Sequence, residues 1–173
     1  MRIFALAAAA ALLAPLTACG YHTLGAATHL PATVRTLSVP AFQTRTETYH
    51  TEVLMTQAVI REFAARTRLR VTPSTSGDPD VTLHGTILQQ QVLPLTFNTA
   101  TQQSSSYVIT IVASVTLNAR DGRVLYQNNN YVFRQQFQAT TDLATFLDES
   151  PAAEERLSRD FASALVADVL ESL

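Results

Sequence analysis

Cys19 is the only cysteine in the chain, and its thiol is the strongest potential nucleophile that the sequence offers. It directly follows Leu16, Thr17 and Ala18. A thiol in this position can form a thioether with a lipid, and small residues before it let a peptidase close on the preceding bond. With a single cysteine, no disulfide can form within the chain. We therefore interpret Cys19 as the site of a covalent modification, in preference to a buried free thiol.

The residues before Cys19 have the order of charge and hydrophobicity of a secretory signal peptide. Arg2 is followed by uncharged, mostly apolar residues up to Ala14, a stretch too short to span a bilayer as a permanent helix. Leu16-Thr17-Ala18-Cys19 then resembles the bacterial lipobox, in which signal peptidase II cuts before an acylated cysteine. We expect residues 1–18 to be removed. The alternative, a buried N-terminal helix, would have no polar face to orient it.

An acylated Cys19 would anchor the protein to a membrane. Each buried methylene contributes ~0.8 kcal/mol, so a diacylglycerol together with an N-acyl chain holds a protein durably, whereas one chain does not. Residues 19–31 are rich in Gly, Ala and Pro and are expected to form a tether. The residue after Cys19 is Gly20 rather than the aspartate that retains lipoproteins in the inner membrane, so the expected location is the outer membrane, facing the periplasm. No other cofactor is expected.

The sequence offers no recognisable catalytic site. It has no G-x-S-x-G motif, and its histidines are scattered without a partner nucleophile. His84 is predicted to lie in a strand beside Thr82 and Thr86, where a surface residue is the simpler interpretation. The other histidines are His22, His29 and His50. An enzyme is therefore the least favoured class of function.

Two groups of acidic residues could be considered for a metal ion or a proton transfer. Asp78-Pro79-Asp80 has the composition of a turn, and a calcium site would need about six oxygens at fixed spacing. Glu154 and Glu155 are adjacent, so they point to different sides of a helix and suit the positive end of its dipole better than an acid–base pair. We predict no metal site and no catalytic residue.

The domain is predicted to begin with a strand, a helix and a second strand. Leu37 and Val39 alternate with polar residues, which predicts a strand over about Val34 to Val39. Apolar residues at steps of three, four and seven predict a helix from Tyr49 to Arg66. A second strand is predicted over Arg68 to Thr72. Because the links between these elements are short, the pattern favours a βαβ unit with a parallel pair of strands.

Three longer strands should follow, with a helix closing the chain. The strands are predicted over Val81 to Val92, Tyr107 to Leu117 and Arg123 to Phe137. They should pair antiparallel, with a turn at Asp121-Gly122 and a break in the last strand near Asn128 to Asn130. A broad apolar stripe predicts a helix from Ser150 to Leu173. The expected fold is α+β, with two helices on one face of a mixed four- to five-stranded sheet, in a single domain over residues 32–173.

The stretch from Val81 through Ala119 contains no Asp, Glu, Lys or Arg, although about a quarter of the residues in soluble domains are charged. A strand pair with so little charge tends to pair with other chains when it is bare. Either this is merely a charge-poor hairpin, or another protein covers it and its neutral loop, Thr96 to Ser106, lies in a polar cavity such as a barrel lumen. The formal net charge of −2, which falls by one unit with the loss of Arg2, disfavours nucleic acid as a partner.

The order of segments along the mature chain resembles that of the LPS-assembly lipoprotein family, LptE. The resemblance is carried by CGYHTLG after the signal peptide, by TLSVPAFQTRTE before a helix ending in REFAARTRLRV, and by DVTLHGTIL, YVITIVASVTL and YVFRQQF before an alanine-rich helix. It covers nearly the whole mature chain. It implies two helices on a sheet of about four strands and a non-enzymatic outer-membrane lipoprotein.

The resemblance also implies two partners, the outer-membrane β-barrel LPS-assembly protein LptD and lipopolysaccharide. Family members lodge in this barrel, help it to assemble, plug it, and assist lipopolysaccharide into the outer leaflet. The charge-free hairpin suits a plug that faces a polar lumen. We therefore predict partner contacts near its loop, at Thr96, Phe97, Asn98, Gln102, Gln103 and Tyr107.

The chain departs from the family in the basic residues through which family members can contact lipopolysaccharide phosphates. The corresponding regions, LPLTFNTATQQSSS and ATTDLATFLDES, contain no cation. Arg134 is the nearest candidate for lipopolysaccharide binding, although a strand-surface arginine without a ligand is the simpler interpretation. The rival function is a structural or envelope-stress lipoprotein that faces the periplasm and has no barrel partner.

Overall fold

The computed structural model describes residues 33–46, 51–98, 103–138 and 151–173 of the chain. The elements and their bounds are β1 Thr36–Ser38, β2 Gln43–Thr44, α1 Thr51–Arg66, β3 Arg70–Thr72, β4 Val81–Asn98, β5 Gln103–Ala119, β6 Val124–Gln138 and α2 Pro151–Ser172. The strands form one mixed sheet in the order β3-β1-β4-β5-β6, with β2 beside β4. The predicted signal peptide and tether lie outside the described residues.

β1, α1 and β3 form the predicted βαβ unit, and β1 pairs with β3 in parallel. The predicted helix is observed over Thr51–Arg66, and the four residues before Thr51 lie outside the described ranges. Thr67 marks the end of α1, because its backbone N–H and its hydroxyl both donate to the carbonyl of Phe63, at 2.9 Å and 2.7 Å. A carbonyl of the last turn, which has no partner within the helix, is satisfied in this way.

A short strand that the sequence did not predict, β2, pairs in parallel with the middle of β4. It follows Phe42, whose backbone N–H donates to Thr56 Oγ1 of α1 at 2.9 Å. The Phe42 ring lies against Gly85 of β4 so closely that a Cβ built on Gly85 would be 2.7 Å from three ring carbons. Glycine at this position therefore allows the segment before β2 to pack onto the sheet.

The hairpin of β4 and β5 is longer than its sequence pattern predicted. β4 continues to Asn98 and β5 already begins at Gln103, so the expected loop from Thr96 to Ser106 is mostly strand. Pro94 does not end β4. Beyond Ile87, β4 pairs only with β5 among the described residues, and proline is tolerated where a strand has an open edge.

The register of the long strands shifts at several points, two of which bear on the predicted strand pattern. In β4 an extra residue, Leu88, lies between Ile87 and Gln89 and has no partner in β5. In β6 two asparagines, Asn129 and Asn130, lie opposite a single residue of β5. The break predicted near Asn128 to Asn130 is therefore wrong, since β6 runs through this point as a continuous strand with a β-bulge.

Both helices cover the same face of the sheet. Every second side chain of β5 from Tyr107 to Leu117 is buried beneath them. Tyr131 and Phe133 of β6 meet Phe161 of α2 edge-on, with ring centroids 6.0 and 5.7 Å apart. The helices contribute Met55, Ala58, Val59 and Phe63 from α1, and Leu157, Phe161, Ala162, Leu165, Val166 and Val169 from α2. The predicted α+β class is confirmed, and β2 raises the expected four to five strands to six.

Candidate partner-binding surface

The hairpin of β4 and β5 extends beyond the strands that flank it on one side. β1 pairs with β4 at Val81 and Thr82, and β2 pairs with it at Thr86 and Ile87. Farther along, the described residues of β4 pair only with β5. Within the described ranges, the distal half of the hairpin therefore has an open edge on the β4 side, and such an edge can offer backbone groups to a partner.

The residues predicted to contact a partner lie near the tip of this hairpin. Thr96, Phe97 and Asn98 are in β4, and Gln103 is in β5, where the register aligns it with Asn98. Gln102 lies outside the described residues. The backbone therefore brings the predicted residues on both strands close together, and their contact with a partner stays a prediction.

Tyr107 has a different environment from the tip residues. It lies opposite Pro94 in β4 and Phe137 in β6, on the face covered by the helices, and is only 7% exposed. The hydrophobic core explains its burial without a partner. Its predicted role in partner binding stays a prediction.

Two large apolar residues on the projecting part of β4 were not predicted as part of the site. Leu93 is 49% exposed and Leu95 is 52% exposed. Single exposed leucines are common on protein surfaces, but these two lie on the same strand on either side of Pro94. The Leu-Pro-Leu sequence was an available signal, because proline within an apolar strand indicates an open edge.

Arg134 lies on the face of the sheet that turns away from the helices. It pairs with Thr110 across β5 and β6, and its neighbour Phe133 points into the core. The Arg134 side chain is exposed and forms no salt bridge with the described residues. An exposed guanidinium of this kind is available to an anionic group, and its predicted contact with lipopolysaccharide stays a prediction.

A polar cluster around Asp80 joins β1 to the start of β4. Asp80 Oδ2 accepts hydrogen bonds from the backbone N–H groups of Arg35 and Thr36, at 2.9 and 3.0 Å, and from the Thr36 hydroxyl at 2.8 Å. Arg120 pairs with Asp80 Oδ1 at 3.0 Å and with Asp78 Oδ2 at 3.3 Å. These hydrogen bonds, and to a smaller extent the charge of Arg120, hold the pKa of Asp80 below its usual value. Asp80 is therefore engaged by the fold itself.

His22, His29 and His50 lie outside the described residues, and His84 and the Glu154–Glu155 pair lie on different elements, β4 and α2. His84 is exposed on β4, opposite Thr116 of β5. Glu155 pairs with Arg159 one helical turn later, at 3.2 Å. Among the described residues, no three His, Cys, Asp or Glu side chains come together in a way that could hold a metal ion.

The predicted membrane anchor, Cys19, lies outside the described residues, so its acylation stays a prediction. Within the ranges that the structure covers, neither helix combines the length and the apolar character needed to cross a membrane.

Solved structures with a similar fold include several bacterial proteins. A protein of Xanthomonas campestris has a TM-score of 0.52 at 15% sequence identity, over 86% of this chain and 91% of that chain. An uncharacterised lipoprotein B from Nitrosomonas europaea has a TM-score of 0.46 at 13% identity, over 79% of this chain and 81% of that chain. A minor lipoprotein from Acinetobacter baumannii has a TM-score of 0.45 at 12% identity, over 80% and 92%. Only the first of these likenesses is strong enough to support the fold.

The family comparison is more specific than the structural likenesses. No curated protein matches the chain. The sequence model of the LptE family, described as lipopolysaccharide-assembly, matches residues 34–169, which are most of the chain. The resemblance carried by the ordered segments is thus confirmed. The chain belongs to the LptE lipopolysaccharide-assembly family.

Proposed function

We propose that this chain is a non-enzymatic outer-membrane lipoprotein that helps to assemble and plugs the β-barrel LptD, and assists lipopolysaccharide insertion into the outer leaflet. Membership of the family, over residues 34–169, is the observation that carries the proposal. The lipobox ending at Cys19 supports anchoring through a diacylglycerol and an N-acyl chain.

The shape of the long hairpin and its lack of charge support the proposal that the chain plugs a barrel. Its strands project beyond β1 and β2, and no residue from Val81 through Ala119 is charged. Placing such a segment in the lumen of a barrel buries no unpaired charge. The tip residues Thr96 to Asn98, together with Gln102 and Gln103, would then contact the inner wall.

Lipopolysaccharide would meet the chain at Arg134 in this proposal. The side chain is exposed and has no ion-pair partner among the described residues, so a phosphate can bind its guanidinium without displacing a carboxylate. The variant Arg134→Gln should lower the amount of lipopolysaccharide that co-purifies with the acylated protein. The matched variant Arg61→Gln, on the exposed side of α1, should leave this amount unchanged. Equal amounts from both variants would remove Arg134 from the proposal.

The proposed function is tested by depleting the protein in its host. Surface lipopolysaccharide should fall and LptD should accumulate in a misassembled form, and expression of the wild-type chain should restore both. Normal lipopolysaccharide and a normal barrel after depletion would reject the proposal in favour of a structural or envelope-stress lipoprotein. Co-purification of the acylated chain with a barrel of about 26 strands provides an independent measurement of the partner.

The position of the hairpin tip can be tested separately. A photo-crosslinking residue at Asn98 should form an adduct with the barrel, whereas the same residue at the exposed Ala65 of α1 should not. Mass spectrometry of the mature protein should find Cys19 at its N-terminus and carrying acyl chains. An unacylated Cys19 would contradict the anchoring.

A further inference from the structure

The sheet has a nearly charge-free face, formed by the side chains of β4, β5 and β6 that turn away from the helices. We call it the outer face. On β5 its residues alternate with the buried ones and include Val108, Thr110, Val112, Ser114 and Thr116. Arg134 is the single Asp, Glu, Lys or Arg residue within β4, β5 and β6. Charge is therefore almost absent from one whole side of the domain's longest strands.

The strand register arranges the outer face in rows that cross three strands. Gln89, Val112 and Val132 form one row, and His84, Thr116 and Gln127 form another. Val132 is 38% exposed, and the glutamines and His84 are also exposed. Each row thus combines neutral hydrogen-bonding groups with β-branched side chains on a surface that the helices do not cover.

Charged residues are concentrated on other surfaces of the domain. Both helices carry acidic and basic residues on their exposed sides, for example Arg61 of α1 and the Glu155–Arg159 pair of α2. A further charged cluster, Asp80 with Arg120, lies at the end of the sheet. A surface destined for burial is cheaper to dehydrate without charge, whereas an open neutral sheet is prone to unwanted association. This separation of charged and uncharged surfaces indicates that a partner covers the outer face and leaves the helical side in contact with water.

We infer that the outer face is the surface by which the chain rests against the inner wall of its barrel, and that the wall opposite it is lined by neutral hydrogen-bonding side chains. The inference rests on the proposed function and names the contact surface within it. A wall with several unpaired charges would be disfavoured here, because Arg134 is the only charged side chain that β4, β5 and β6 could offer as a counter-charge. Arg134 lies on the end strand β6, at the margin of the face, where its long side chain can reach past the contact towards lipid.

The test adds a negative charge without changing side-chain shape. Gln89→Glu and Gln127→Glu place the charge on the outer face, and Gln57→Glu places it on the exposed side of α1 as a matched control. Full-length acylated variants are extracted from the cell envelope in detergent, and the barrel that co-purifies with each is quantified. The two outer-face variants should each retain about tenfold less barrel than wild type, since each would bury an unpaired carboxylate. Gln57→Glu should retain the wild-type amount.

The thermal unfolding of each purified variant separates loss of binding from loss of folding. All three glutamines are exposed, so the midpoints should match that of the wild-type chain. Wild-type amounts of barrel with Gln89→Glu and Gln127→Glu would overturn the choice of face while leaving the proposed function intact. Absence of barrel with the wild-type chain would reject the proposed function, and the inference with it. A wild-type dimer that Gln89→Glu converts to a monomer would instead assign the face to a second copy of the chain.

Discussion

The hydroxyl of Tyr126 donates a hydrogen bond to Asp168 Oδ2 at 2.5 Å, and this contact ties the end strand β6 to α2. Tyr126 is 8% exposed, so the hydrogen bond lies largely away from bulk water. Tyr131, also on β6, packs its ring against Phe161 of the same helix. The end strand is therefore fixed to the helical layer by this hydrogen bond and by the edge-on contacts of Tyr131 and Phe133 with Phe161.

Removing the Tyr126 hydroxyl should destabilise the domain. Tyr126→Phe keeps the ring but deprives Asp168 of its donor, and a hydrogen bond to a charged group typically contributes about 1.5–3 kcal/mol. Because Asp168 is only half-buried, we expect a loss of about 1–2 kcal/mol in the free energy of unfolding, measured with urea. The control is Tyr131→Phe, whose hydroxyl has no hydrogen-bond partner among the described side chains. An equal loss in both variants would contradict the assigned role of the Tyr126–Asp168 contact.

Alkaline pH should weaken the same region. Burial, and next the Asp168 carboxylate, raise the pKa of Tyr126 above its ordinary value of 10 and that of Tyr131 to about 12. Above pH 10 the unfolded chain releases these protons while the folded chain keeps them, so the free energy of unfolding should fall as the pH rises from about 10 to about 12. Below pH 9 the two groups should add no pH dependence. Urea titrations between pH 8 and 11.5 (roughly the range set by these values) should show a shallower decline for Tyr126→Phe, and an unchanged decline would contradict this assignment.

Acid should weaken the junction between β1 and the start of β4. The pKa of Asp80 is lowered by hydrogen bonds from β1, so its contribution to stability is present above the unfolded pKa of about 4 and is lost as the pH falls below it. Asp80→Asn should lower the free energy of unfolding at pH 7 and flatten its dependence on pH in the acid range. Asp78→Asn is the matched control, because Asp78 is 75% exposed and its carboxylate contacts only Arg120. The same acid dependence in wild type and Asp80→Asn would refute the role of this carboxylate.

The contact between Phe42 and Gly85 should show strong coupling between the two residues. Gly85→Ala would place a methyl group against the buried Phe42 ring, so we expect a loss of about 1–3 kcal/mol. Phe42→Ala creates a cavity and should cost about 3–5 kcal/mol by itself. In the double variant the added methyl group has room, so Gly85→Ala should cost nothing further. Additive losses in a double-mutant cycle would show that the Phe42 ring does not restrict the size of the side chain at residue 85.

The regular elements were predictable because their patterns are local. The period-two pattern from Tyr107 to Leu117 matches the buried row of β5, and the spacing of apolar residues located both helices. β2 could not be predicted, since two residues show no period and its position depends on Phe42 fitting over Gly85, far away in the sequence. The bulge at Leu88 was hidden for a similar reason, because it is defined by the register of two strands.

The candidate surface could be predicted only in part. The absence of charge is visible in the sequence, but Val108 and Val112 resemble their buried neighbours in residue type. Which of the two rows on β5 becomes the core depends on where the helices pack, and that is a property of the assembled domain. The extent of the hairpin was underestimated because a proline usually ends a strand. Pro94 is tolerated here since, among the described residues, this part of β4 pairs only with β5.

The uneven pairing of β4 leads us to expect different hydrogen-exchange behaviour in the two halves of this strand. At Val81, Thr82, Thr86 and Ile87 the strand has a neighbour on both sides, whereas near Asn98 the described part of the chain gives it a neighbour on one side only. Hydrogen exchange in the first half should require global unfolding, while the second half exchanges through local fluctuations. The part of β4 near Asn98 can therefore adjust its curvature while the core stays intact. This property suits a segment whose final shape is set by another chain.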